Sequence, residues 1–283
     1  MKKLTYLFLA ILIVACSSDD SSDNSNNNGG DNEDNEQSLC EEIGLIYLDT
    51  NGVTIKACEY ANIGDTGVID GVTYTVVDEA ILRAMAAGLP EDLTKVVTTF
   101  VTDMSLMFDN TLYDFNQNIN SWDVSNVTTM AYMFSNMDYN QPIVDWDVSN
   151  VTDMQAMFQN NGTFNQPIGN WDVSSVTNMN SMFSGYNNNE FNQDISNWDV
   201  SSVTDMSSMF QNNSAFNQPI GDWDVSSVTD MKQMFANVFA TSGSEFNQDL
   251  SNWNVSSVNE CSGFSADNPQ WTLPKPNFTN CTP

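Results

Sequence analysis

The sequence predicts an α/β solenoid of about six to seven stacked coils, capped at both ends, and three observations lead there. One phrase recurs: Trp122, Trp146, Trp171, Trp198, Trp223 and Trp253 align at spacings of 24 to 30 residues, within a pattern close to F-N-Q-x-I-x-x-W-D-V-S-S/N-V-T-x-M-x-x-M-F. Within it, Trp-Asp-Val alternates apolar and polar, the period of a short strand with Trp and Val inward and Asp outward. Stacked copies would lay such strands side by side as a parallel sheet. The following V-x-x-M-x-x-M-F steps by three and four, as in a helical turn, and a Ser or Asn with Asp three later imitates a capping box. A brief strand through V-T-x-M is the other reading of the same letters. A unit of about 25 residues buries no core alone, so each copy must cover the apolar face of its neighbour.

The order along the chain follows from composition. Residues 1–15 and Cys16, MKKLTYLFLAILIVAC, have a basic start and an apolar run too short to span a bilayer as a helix, which reads as a secretory leader. LIVAC resembles a lipobox, which implies cleavage before Cys16 and an acyl anchor on that residue. The acidic residues just after it resemble an export signal to the bacterial outer membrane, hence display at the cell surface. Residues 16–38 form an acidic tether with too few apolar groups to offset the entropy of ordering.

Residues 39–98 break the repeat period and read as an N-terminal capping module. IYLDTNGVTIKAC carries two β-rich runs about Asn51-Gly52, a hairpin signal. GVTYTVV reads as a further strand, and Asp78 caps a helix over EAILRAMAAG that Gly88 and Pro90 end. Residues 99–265 are the repeats, and 266–283 fold back as a C-terminal cap. Cys40, Cys58, Cys261 and Cys281 are an even set in an exported chain. Three pairings are open, and proximity in the chain favours Cys40 with Cys58 and Cys261 with Cys281.

WDVSSVTDMSSMF followed by FNQPI resembles the repeat of the BspA-like bacterial surface proteins, a branch of the leucine-rich-repeat group often found on lipoproteins. The resemblance covers residues 99–265. It implies a right-handed, leucine-rich-repeat-like solenoid with a surface or adhesion role, and it transfers no catalytic or binding residue.

Charge and missing residue types narrow the function. Asp plus Glu number 37 against 7 Lys plus Arg, a formal net charge of -30, which repels nucleic acid and anionic lipid. The chain has no histidine, which removes Ser-His-Asp and Cys-His catalysis and the usual zinc sites. No G-x-S-x-G, P-loop or Rossmann glycine pattern occurs. Equivalent aspartates in a row give no single carboxyl the distinct environment that an acid–base pair needs. The expected protein is therefore a non-enzyme without cofactor.

Each repeated letter has a constructional reading. The tryptophans share parity with core valines, the methionine rows have core spacing, and the Asn and Gln rows suit amide ladders that satisfy buried backbone groups. The row Asp123, Asp147, Asp172, Asp199 and Asp224, which stops at Asn254, needs a reason because adjacent like charges repel. It caps turns, binds calcium, or receives a basic partner, turn capping being the simplest. The expected function is a surface lipoprotein presenting an acidic solenoid face to a protein or glycan. A structural spacer of the envelope and a carbohydrate-binding lipoprotein of an uptake system are the alternatives.

Overall fold

The computed structural model describes residue 40 and residues 44–88, 91–108, 115–186, 189–238 and 243–283. Cys16 and the residues read as a leader and a tether lie outside the described residues.

The N-terminal module is two small sheets and one helix. Strand β1 (Ile46–Leu48) pairs antiparallel with β2 (Ile55–Ala57). Their connection is set by Asn51, whose Oδ1 accepts the Val53 and Thr54 amides, and by Gly52 at φ +73°. Strand β3 (Thr66–Ile69) pairs antiparallel with β4 (Val72–Val76) through Asp70-Gly71. Both turn residues take positive φ, 51° and 81°, the signature of a type I′ hairpin turn. Helix α1 (Glu79–Ala87) starts where Asp78 accepts the Ile81 amide and ends where the Gly88 amide reaches the Ala84 and Met85 carbonyls. A 3₁₀ turn (Leu93–Lys95) leads into β5 (Val96–Val97), which runs parallel to β4.

The first coil grows out of this module. The Thr98 hydroxyl donates to the Asp123 carbonyl, the Ile55 amide to the Ser121 carbonyl, and the Trp122 indole to the Leu93 carbonyl.

From there the coils stack in register. Parallel bridges link Asp103, Thr129, Asp153, Asn178, Asp205, Asp230 and Glu260 in one unbroken series. Beside them, Thr128, Thr152, Thr177, Thr204 and Thr229 each donate both amide and hydroxyl to the threonine carbonyl one coil earlier. The parallel pairing therefore lies at Val-Thr-x-Met, one bridge per coil, and not at Trp-Asp-Val.

The expected helical turn is absent from the described coils. In Met-x-x-Met the second methionine amide donates to the first methionine carbonyl, at 3.1 Å for Met133 to Met130. The residue before it is left-handed, at φ +51° to +59° in Leu106, Tyr132, Ala156, Ser181, Ser208 and Gln233. A left-handed third position makes this a β-turn of type II and blocks helix propagation.

The core is a set of columns. Phe108, Phe134, Phe158, Phe183, Phe210 and Phe235 stack with successive centroids 5.5 to 5.8 Å apart. A second column holds Phe164, Phe191, Phe216 and Phe246 against the first. Trp271 closes this end by meeting Phe246 edge-on at 88°. Both methionines of each Met-x-x-Met, the Ile or Leu before each repeat tryptophan and the two valines that follow it are buried alongside.

Candidate functional site

The tryptophans face inward and are all buried. Each indole N–H donates to a carbonyl one coil earlier, Leu93, Ile119, Ile143, Ile168, Ile195 and Ile220 in turn, at 2.9 to 3.2 Å. The polar atom that a buried indole must satisfy thus ties neighbouring coils together. No tryptophan face remains for a sugar ring.

The asparagines form one ladder. Oδ1 of Asn116, Asn140, Asn165, Asn192 and Asn217 accepts the backbone amide of the next asparagine at 2.9 to 3.2 Å. Asn247 ends it by accepting the Thr272 and Leu273 amides. Nε2 of Gln166, Gln193, Gln218 and Gln248 donates to the same asparagine oxygens.

The aspartate row divides. Asp147, Asp172, Asp199 and Asp224 are exposed, but Asp123 is 2% exposed. The outward orientation expected for Asp123 fails because the N-terminal module covers it, and its Oδ2 accepts the Thr99 hydroxyl at 2.7 Å. In all five, Oδ1 accepts the amide of the serine two residues on, at 3.0 to 3.2 Å. The Ser174 hydroxyl and amide hold the Asp172 carboxyl below the usual range, and those of Ser226 do the same to Asp224. Asn254 makes the same turn, accepting the Ser256 amide and hydroxyl. An amide oxygen therefore does the capping as well as a carboxylate, and the turn does not need the charge.

The bridge residues form a second, largely acidic row at the variable position of V-T-x-M. Its signal was the Asp in V-T-D-M at Asp103, Asp153, Asp205 and Asp230, followed by Glu260. Their side chains cap the next turn, as Asp205 does for Ser207 and Asp230 for Lys232. Asp230 stands between Asp205 and Glu260, and burial first, then those two charges, pushes its carboxyl up. Among the described residues, no group of three or more acidic, cysteine or histidine side chains is placed to hold a metal ion.

Cys40 bonds to Cys58 and Cys261 to Cys281. The first bridge fastens the start of the N-terminal module, and the second ties residue 281 to the last coil. Among the described residues no helix is long and apolar enough to cross a membrane.

Coils joined by periodic bridges, amide ladders and aromatic columns define a repeat protein. Residues 79–190 and 169–273 match, in two overlapping stretches, the family described as "Mycoplasma protein of unknown function, DUF285". Together they span more than half of the chain, which belongs to that family. No curated protein and no solved structure matches it.

Proposed function

We propose that this chain is a lipid-anchored, non-enzymatic surface module that engages a basic protein partner along its exposed aspartate row. One observation carries the reading: Asp147, Asp172, Asp199 and Asp224 hold their charge where Asn254 does the same structural task without it. The cost of aligning like charges is then unneeded by the fold, and a partner that neutralises them would recover it. The buried tryptophans remove the aromatic platform on which a glycan reading of the repeats rested. On this reading the coils follow the right-handed, leucine-rich-repeat-like path of BspA-like surface proteins, and Cys16 carries the lipid.

Two measurements test it. Cys16→Ser should release the chain from membranes, and continued attachment would sink the anchor. Binding to an immobilised cationic polypeptide should weaken with salt. It should fall further when Asp147, Asp172, Asp199 and Asp224 all become Asn than when Glu59, Glu91, Glu190 and Glu245 become Gln. Equal losses from the two sets would reduce the row to bulk charge.

A further inference from the structure

The surface of the stack is periodic except where coils differ in length. From Trp171 to Trp198 the chain takes 27 residues, from Trp198 to Trp223 it takes 25, and from Trp223 to Trp253 it takes 30. A short coil thus lies between two long ones, and the extra residues fall after the Met-Phe pair. A cleft of about 300 Å³ lies across these coils, with Gln211 of the short coil in its lining and Tyr186 and Val238, from the two long coils, beside it.

Its chemistry differs from the rest of the surface. None of the described residues lining it is charged, on a chain of formal net charge -30. Gln159, Gln211 and Gln233 line it and are half-buried. Gln159 Nε2 reaches the Ser184 hydroxyl at 3.4 Å. The side chains of Gln211 and Gln233 hydrogen-bond no other described residue. Each primary amide offers donors and an acceptor a short distance apart, the complement of a hydroxyl that both donates and accepts. Several such amides beside an aromatic ring suit a polyhydroxylated, uncharged ligand, whereas an ionic ligand finds no counter-charge.

The backbone that carries the aromatic is held in place. Tyr186 is 63% exposed, and its backbone amide donates to Asn160 Oδ1 at 3.0 Å, while Asn160 Nδ2 donates to Asn136 Oδ1 at 2.8 Å. The exposed part of the ring offers apolar surface with few rotatable bonds, which the C–H face of a pyranose can cover.

We infer that this cleft binds a neutral saccharide of one or two hexose units, with Gln211 and Gln233 bonding its hydroxyls and Tyr186 stacking on its ring. The site is separate from the aspartate row and does not depend on the partner proposed for it.

The test is a glycan array probed with the full chain, carrying neutral hexose oligosaccharides with sialylated and sulfated counterparts, followed by calorimetry on the best neutral probe. Neutral probes should be retained. Tyr186→Ala and Gln211→Ala should each weaken binding by about tenfold at unchanged melting temperature. If Gln211→Ala melts early, the near-isosteric Gln211→Glu keeps the volume and should weaken binding similarly. The fourfold Asp→Asn variant should bind sugar as the parent does, so failure of the aspartate row and failure of the cleft are told apart. Retention of only the anionic probes, no neutral binding, or neutral binding indifferent to Tyr186 and Gln211 would each overturn the inference.

Discussion

The Trp171 indole donates to the Ile143 carbonyl at 3.2 Å, and the same oxygen accepts the Trp146 backbone amide at 3.4 Å. One carbonyl therefore closes a turn in its own coil and anchors the next. Trp171→Phe keeps an aromatic in the column but deletes the inter-coil bond and leaves a void in a close-packed interior. The expected loss is about 2–3 kcal/mol, from one hydrogen bond plus the partial cavity. Denaturant titration followed by tryptophan fluorescence would measure it, and a loss under about 1 kcal/mol would show that the carbonyl's second bond matters little.

The amide ladder makes a second, more selective prediction. Asn165 Oδ1 accepts both the Asn192 amide and Gln193 Nε2, at 3.1 and 2.9 Å. Asn165→Ala leaves a half-buried backbone donor without its partner and should cost about 1–2 kcal/mol. Asn165→Asp retains both acceptor bonds and should recover most of that. Equal destabilisation by the two variants would mean that the amide nitrogen, not the oxygen, carries the ladder.

These ladders were legible in the sequence because the same letters return at the same phase, so Asn165 and Asn217 had to occupy equivalent places. The core columns followed by the same logic. The Met-x-x-Met turn was not legible, because its left-handed position is filled by Leu, Tyr, Ala, Ser and Gln in six coils and by Gly263 in the last alone. Without glycine to mark the bend, apolar letters three and four apart imitate a helix. Of the β3–β4 hairpin only the second strand, in GVTYTVV, was legible, because Gly67 within the first weakens a strand signal. Gly67 is needed because a Cβ there would come within 2.8 Å of the Ile46 Cβ. The amide-lined cleft joins residues of four successive coils, and no phrase within a single repeat marks it.

Tyr139 gives a case where removing an atom should stabilise the fold. It is fully buried where the other coils place phenylalanine, stacked on Phe134 with centroids 4.2 Å apart. Burial pushes its hydroxyl far above the ordinary tyrosine range, an effect that the Ile119 backbone beside it only partly offsets, and among the described residues that hydroxyl makes no hydrogen bond of good geometry. The neighbouring Ile119 carbonyl already accepts the Trp122 amide and the Trp146 indole. Tyr139→Phe removes an unsatisfied polar group and should raise stability by about 1 kcal/mol. A destabilised variant would reveal a partner for the hydroxyl.

The bridge row supplies a prediction with a defined pH sign. Asp230 is raised above its ordinary value by burial and by Asp205 and Glu260, so the native state binds that proton more tightly than the unfolded chain does. At higher pH the ionised carboxylate therefore destabilises the fold, and the penalty disappears as pH falls through the raised native value. Asp172, Asp194, Asp224, Asp249 and Glu260 behave oppositely. Serine donors lower them, so their contribution is present above the ordinary carboxylate range and is lost as pH falls through their native values. Asp230→Asn keeps the acceptor for the Lys232 amide, as Asn178 does for Asn180 in its own coil. It should stabilise the chain by about 0.5 kcal/mol at about pH 7, and the gain should shrink to nothing by about pH 3. Melting of parent and variant across that range would show the two curves converging on acidification. A gain that is independent of pH would mean that packing of the amide, and not relief of charge repulsion, is its source.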